Sequence, residues 1–254
     1  MIKLGTAGTS GLGYEAGLSK CKDLGLDAIE VEFTYGVRMK NDEAKKVGEL
    51  AKKLKIELSV HAPYYINLAS EDKSKLAASK KRILESCERG HYLGAKYIVF
   101  HAAFYQKHSK EECCNIVKEQ IEDLQKTIKK NKWNVVLAPE TTGKGSQFGD
   151  LDELLKLKKE TGCHICIDFA HLRAREGKID YDEVFKKLKG IGHIHAHFSG
   201  IEFTAKGERR HLITEAKDIK LLLDAIKKHH ADITIINESP DPFGDCVKTK
   251  RLLK

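Results

Sequence analysis

Eight short apolar, β-branched runs, each separated from the next by a helix-length polar segment, limit this chain to few folds. They are Ile2–Thr6, Ala28–Phe33, Glu57–His61, Tyr97–His101, Asn134–Glu140, His164–Asp168, His193–Phe198 and Ile233–Glu238. Strand-forming runs that alternate with amphipathic helices are the pattern of a parallel α/β sheet. Ser74–Leu93 is the clearest helix, with Leu76, Ile83, Leu84 and Cys87 on one face; Lys217–His229 repeats the spacing with Ile219, Leu222, Leu223 and Ile226. The punctuation recurs too. DLGLDAIEV, YLGAKYIVF and TGCHICID each put glycine between a helix and a strand, where a left-handed residue closes the helix. Eight such units in 254 residues match the ~250 residues of one closed (β/α)₈ barrel. The expectation is an α/β single-domain TIM barrel over residues 1–254, with an open doubly wound sheet as the alternative.

Composition narrows the function classes. Hydrophobic residues make up 41% and charged residues 32% of the chain, an ordinary globular balance. No apolar stretch approaches the ~18 residues of a transmembrane helix, so no membrane partner is expected. The start, MIKLGTAGTSGLG, has no basic region followed by a long apolar run, and a cytoplasmic location is expected. The seven cysteines form no spaced framework, and Cys163 and Cys166 fall on opposite faces of an expected strand. They read as reduced, buried thiols. The net charge of +8 suits a polyanionic partner such as nucleic acid, but the lysines are spread along solvated helices. The glycine-rich GTAGTSGLG lacks both the P-loop lysine and the G-x-G-x-x-G spacing, and reads as a flexible loop.

The chemistry lies at the strand ends. At the ends of runs three to eight stand His61, His101, Glu140, Asp168, His197 (followed only by Phe198) and Glu238. In a barrel these side chains share the C-terminal mouth, the catalytic face. Carboxylates and imidazoles buried together need partners, and a divalent cation satisfies several at once. Mixed His and carboxylate donors suit Zn²⁺, with Mn²⁺ or Fe²⁺ as alternatives. His171 follows Asp168 by three residues, and His211 sits in a long loop after run seven, where taken alone it reads as solvated. Glu30 and Glu32 share a strand face; one can project into the barrel, or both can pair with lysines. His193 and His195 share parity with His197 but sit deeper, in positions that suit core packing.

In combination these motifs resemble the endonuclease IV family of apurinic/apyrimidinic endonucleases. The resemblance rests on His61 with Asn67 in HAPYYINL, His101 in FHAAF, Glu140 in ETTGKGSQFG, Asp168 and His171 in CIDFAH, His197 in HFSG and Glu238 in ESPDP. It implies a monomeric enzyme with up to three zinc ions that cleaves duplex DNA on the 5′ side of an abasic site. It further implies one zinc on His61, His101 and Glu140, a second shared by Glu140 with Asp168, His197 and Glu238, and a third on His171 and His211. Glu140 is then the bridging, catalytic ligand. One position departs from the pattern: Arg209 stands where the family has an aspartate, two residues before the last histidine. Glu208 could substitute through a loop shift. Tyr64 matches a position that inserts into DNA, and Arg38, after run two, is a further candidate DNA contact.

Two other functions fit parts of the pattern. Sugar isomerases and epimerases of the xylose isomerase-like superfamily share a Glu–Asp–His–Glu set equivalent to Glu140, Asp168, His197 and Glu238. A mononuclear enzyme of that kind has no need of His61, His101 and His211. A catalytically silent binder of damaged DNA would keep the barrel and lose part of the metal set, and Arg209 is the sequence feature in its favour.

Overall fold

The computed structural model describes residues 1–253. Its eight barrel strands are β1 (Ile2–Ala7), β2 (Ala28–Glu32), β3 (Glu57–His61), β4 (Tyr97–Phe100), β5 (Val136–Pro139), β6 (Cys166–Asp168), β7 (Ile194–Phe198) and β8 (Ile233–Asn237). All neighbouring pairs are parallel, and the order around the sheet is β5-β4-β3-β2-β1-β8-β7-β6. The two ends meet. Glu140 bridges Cys166 in parallel register, and Thr141 N–H donates to Cys166 O at 3.0 Å and His164 N–H to Leu137 O at 2.9 Å. The open-sheet alternative is thereby excluded.

The eight expected runs all become strands, but β2, β4, β5, β6, β7 and β8 are shorter than their apolar patterns. His101, Glu140 and Glu238 each stand one residue beyond their strands. Glu140 and Glu238 stay tied to the neighbouring strands, their N–H groups donating to Phe100 O at 3.0 Å and Phe198 O at 3.3 Å.

Nine helices wrap the described chain: α1 (Tyr14–Asp23), α2 (Asn41–Leu54), α3 (Lys73–Leu93), α4 (Lys110–Lys130), α5 (Leu151–Thr161), α6 (Phe169–Glu176), α7 (Tyr181–Lys187), α8 (Ala216–Lys228) and α9 (Pro242–Leu253). Local chemistry sets several boundaries. Ser109 and Glu112 cap α4 reciprocally, as Asp150 and Glu153 cap α5, and such a cap contributes about 1 kcal/mol. Gly94 at φ 69° and Gly162 at φ 71° close α3 and α5, the left-handed role expected of these glycines. Among the described residues no helix is long and apolar enough to cross a membrane.

Burial is in two layers. The larger lies between strands and helices, around Leu18, Ile83, Ile121, Leu124, Leu154 and Phe169. A smaller inner cluster, Tyr97, Val99, Ala138 and Cys166, fills the β4–β6 side of the barrel. The opposite inner side is polar: Glu30, Ser59, His195 and Thr234 are all buried. The seven cysteines are free and buried.

The segment expected as a long loop after β7 is instead an antiparallel hairpin, Gly200–Thr204 with Gly207–Leu212. A second, two-residue pair joins Ala103–Phe104 to Gln147–Phe148. Both stand over the mouth-side connections.

The contact between α2 and α3 yields a test. A Cβ on Gly48 would lie 2.5 Å from Leu93 O and 2.8 Å from Leu93 C, and backbone atoms there cannot yield cheaply. Gly48→Ala is expected to destabilise the barrel by about 1–3 kcal/mol despite alanine's better helix propensity. Denaturant unfolding measures this; an unchanged or raised midpoint would refute the close approach.

Candidate metal centre

Glu140 is the hub of the mouth. Its carboxylate is buried and meets four imidazoles. Oε2 lies 3.2 Å from His61 Nε2 and 2.9 Å from His101 Nε2. Oε1 lies 3.0 Å from His197 Nδ1 and 3.4 Å from His171 Nδ1. Burial alone would raise this carboxyl group, but His101 and His197 hold it well below the usual carboxylate range. Burial opposes a charged His61, yet Glu140 and Glu32 push it up to about 10.

The backbone aims these groups. His61 Nδ1–H donates to Ala62 O at 2.8 Å, leaving Nε2 turned to Glu140. Asp168 divides its carboxylate: Oδ1 accepts from His171 N–H at 2.8 Å and so starts α6. Oδ2 is buried without a hydrogen-bond partner, although His171 Nδ1 stands 3.2 Å away at a poor angle. Burial pushes the Asp168 carboxyl up to about 6. Thr141 ties the two strand ends, its Oγ accepting from Asp168 N–H at 2.8 Å. Glu238 lies 3.1 Å from His197 Nδ1 and 3.8 Å from His211 Nε2. Burial would raise it, but His197 brings it down to about 2.

Arg209 is the extra residue of a β-bulge. The pairing runs Arg210 with Glu202 and then Glu208 with Phe203, skipping Arg209. In a regular strand Glu208 and His211 would face opposite ways; one inserted residue resets the parity. Arg209 turns out to Glu202 at 3.0 Å, while Glu208 turns in to His171 Nε2 at 2.9 Å. His211 lies over the same ring, with centroids 5.4 Å apart, and its Nδ1 is 2.6 Å from Ser199 Oγ. The bulge thus brings the Glu208 carboxylate against His171.

Donor atoms gather in four sets, each within 4.8 Å: His61–His101–Glu140, Glu140–Asp168–His197–Glu238, Asp168–His171–His211, and deeper down Cys166–His195–His197. The first three share members and form one cluster. Unpartnered oxygens on Asp168 and Glu208, imidazoles that need protons to sit beside carboxylates, and a mixed N/O donor set all fit divalent cations of the zinc type. In the fourth set, burial raises the Cys166 thiol well above its ordinary value.

The remaining sequence candidates divide. Tyr64 is 53% exposed at the rim, packed edge-on against Tyr35 at 6.4 Å. Arg38 is exposed, and among the described residues it has no ion pair. Asn67 braces its loop, with Oδ1 accepting from Ala69 and Phe104 N–H at 3.1 and 3.2 Å. Glu30 and Glu32 both turn into the barrel. The expectation of lysine partners is overturned for Glu30, which is bound by His195, His197 and Ser59. Glu32 is pushed up to about 8, by burial first. His193, expected in the core, is partly exposed at the far end of the barrel and pairs with Asp232 at 3.0 Å. Sequence reading missed Tyr35 and Tyr65, which are 77% and 74% exposed beside Tyr64. The signal was available, since tyrosine pairs in mouth loops have no core to enter.

A family profile described as xylose isomerase-like TIM barrel matches residues 18–252. An uncharacterized protein of Methanocaldococcus jannaschii is 38% identical over 94% of this chain and 92% of its own length. A probable endonuclease 4 of Metamycoplasma arthritidis is 30% identical over 76% of this chain and 75% of its own. Among solved structures, endonuclease IV from Thermus thermophilus superposes with a TM-score of 0.73 at 19% identity, over 99% of this chain and 98% of that one. A D-tagatose 3-epimerase-like protein gives 0.77 at 19% identity, over 99% and 95%; at such identities the likeness is one of fold. The profile and the sequence relatives go further, and the chain belongs to the xylose isomerase-like TIM barrel family, among the relatives of endonuclease IV.

Proposed function

We propose that this chain is a zinc-dependent apurinic/apyrimidinic endonuclease that hydrolyses the phosphodiester 5′ to abasic sites in duplex DNA during base excision repair. The observation that carries the reading is the three overlapping donor sets around Glu140. A mononuclear sugar isomerase needs the set Glu140–Asp168–His197–Glu238, with His171 free to contact a substrate; His61, His101 and His211 would then have no task. Kinship with a probable endonuclease 4 supports the same reading, as does the net charge of +8.

In this reading His61, His101 and Glu140 hold one ion. Glu140, Asp168, His197 and Glu238 would hold a second, and His171 and His211, with Asp168 beside them and Glu208 against His171, a third. Bound there, divalent cations polarise the phosphate and make a nucleophile available from water near neutral pH. The protein's task is placement. Glu140 joins the sets with its two oxygens, and the Thr141–Asp168 tie keeps the β5 and β6 ends in register. At the rim Tyr35, Tyr64 and Tyr65 offer aromatic faces to a duplex whose stacking is already broken. Tyr65 is held at φ 65°, a conformation uncommon outside glycine, and Arg82 donates to its carbonyl at 3.3 Å. Arg38, exposed after β2, is a further candidate for contact with the phosphate backbone. The products are a 3′-hydroxyl and a 5′-deoxyribose phosphate.

The fold likeness to an epimerase-like protein makes a ketose epimerase the second reading. Both are tested on zinc-loaded protein with a duplex carrying one tetrahydrofuran abasic analogue and, separately, with a panel of ketoses. A nick on the 5′ side, two to three zinc ions per chain, and a loss of at least about a hundredfold in Glu140→Gln are expected. Metal-loaded protein that leaves the duplex intact would sink the endonuclease reading, and ketose turnover with one ion per chain would establish the other.

The third set has its own test. A Cβ on Gly143 would overlap the Glu208 carboxylate and lie 2.9 Å from its Cβ. Gly143→Ala is expected to push Glu208 off His171 and lower the tightly bound zinc by about one ion per chain, with the fold retained. Elemental analysis after dialysis checks this; unchanged stoichiometry would remove Glu208 from the ligand set.

A further inference from the structure

Below the metal centre, Glu30 sits at the middle of the polar half of the barrel, fully buried. Its Oε2 is fixed from two sides, by Ser59 Oγ–H at 2.6 Å and by His195 Nε2 at 2.8 Å. Its Oε1 points up at His197 Nε2, 2.8 Å away. The approach is off the straight hydrogen-bond line, so neither Glu30 Oε1 nor His197 Nε2 has another partner. The two atoms are complementary and a small rotation of the ring brings them into line; the Cys166 thiol in the same cluster is the weaker partner. The opposite ring atom, Nδ1, faces Glu140 and Glu238 at 3.0 and 3.1 Å.

A neutral imidazole carries one N–H, and the hydrogen bond made by one nitrogen decides which lone pair the other presents. From this arrangement we infer that Glu30 is the positioning residue of the metal centre: it holds the N–H of His197 on Nε2 and thereby aims the Nδ1 lone pair at the site shared by Glu140, Asp168 and Glu238. Ser59 and His195 are its braces. A histidine at a barrel-strand end is otherwise free to turn about χ2, and its two nitrogens are equally good donors to a cation. Only a partner on the far side distinguishes them. The inference rests on the metal-centre reading and adds to it a residue below the mouth, on a strand that supplies none of the proposed ligands.

The test uses zinc-loaded full-length protein and reads metal affinity. Competition with a chromogenic chelator is expected to show one class of site weakened about 10–100-fold in Glu30→Ala, with the remaining zinc held as in the parent and a smaller loss in Glu30→Gln, whose carbonyl can still accept from Nε2–H. Equal affinities in parent and both variants would overturn the inference. Because Glu30→Ala can also fail to fold, the parent is examined by ¹⁵N NMR of its histidines. The expected signature is His197 protonated on Nε2 with Nδ1 bound to metal, assigned by its loss in His197→Gln; a His197 protonated on Nδ1 overturns the inference whatever the variants do. A parent that binds no zinc at all would instead sink the metal-centre reading.

Discussion

One buried carboxylate surrounded by imidazoles organises this molecule. Glu140 has no solvent to stabilise its charge, and an isolated ionised carboxylate in such a place would be prohibitively costly. Four histidines, three at or near strand ends and His171 in the first turn of α6, answer that demand. The barrel is what makes this possible. Parallel strands deliver their ends to one rim, so groups far apart in sequence converge without any long-range loop having to fold around them. His61, His101, Glu140 and His197 are separated by 136 positions between first and last, 197 − 61, yet their polar atoms meet within hydrogen-bonding distance of one carboxylate.

Much of this was legible before the structure. The eight apolar runs fix which residues can be strands, and period-two alternation then says which side chains share the interior. His61, His101, Glu140, Asp168, His197 and Glu238 could be placed at one mouth because each stands at the end of its run or one residue before it. What alternation cannot show is a break in alternation. The hairpin that carries His211 depends on a bulge at Arg209, and read as a regular strand the same residues put Glu208 on the wrong face. The bulge costs nothing visible in composition. It shows only in the register.

The partners of Glu30 illustrate a second limit. Parity places Glu30 and Glu32 inside or outside together but does not say what lies across the barrel. The strands that answer Glu30 are β3 and β7, through Ser59, His195 and His197. Lysine, the commoner partner on a surface, is excluded here by the lack of an exit for its charge. His193 shows the converse. Sharing parity with His195 and His197, it still lies at the open lower end of the barrel, because depth along a strand is set by tilt and stagger, which sequence spacing does not encode.

The closure of the wall has a mechanical consequence. Seven of the eight strand boundaries are continuous ladders, but β5 and β6 are joined by one bridge, its flanking backbone bonds and the Thr141 clasp. That seam is where the barrel would part first under thermal fluctuation. Glu140 and Asp168 stand on its two sides. A cation gripped by both would act as a rivet across the weakest joint, and its binding energy would be returned to the whole cylinder as resistance to opening. The catalytic rim and the structural seam would then be one feature, and emptying it would loosen the wall as well as silence the chemistry.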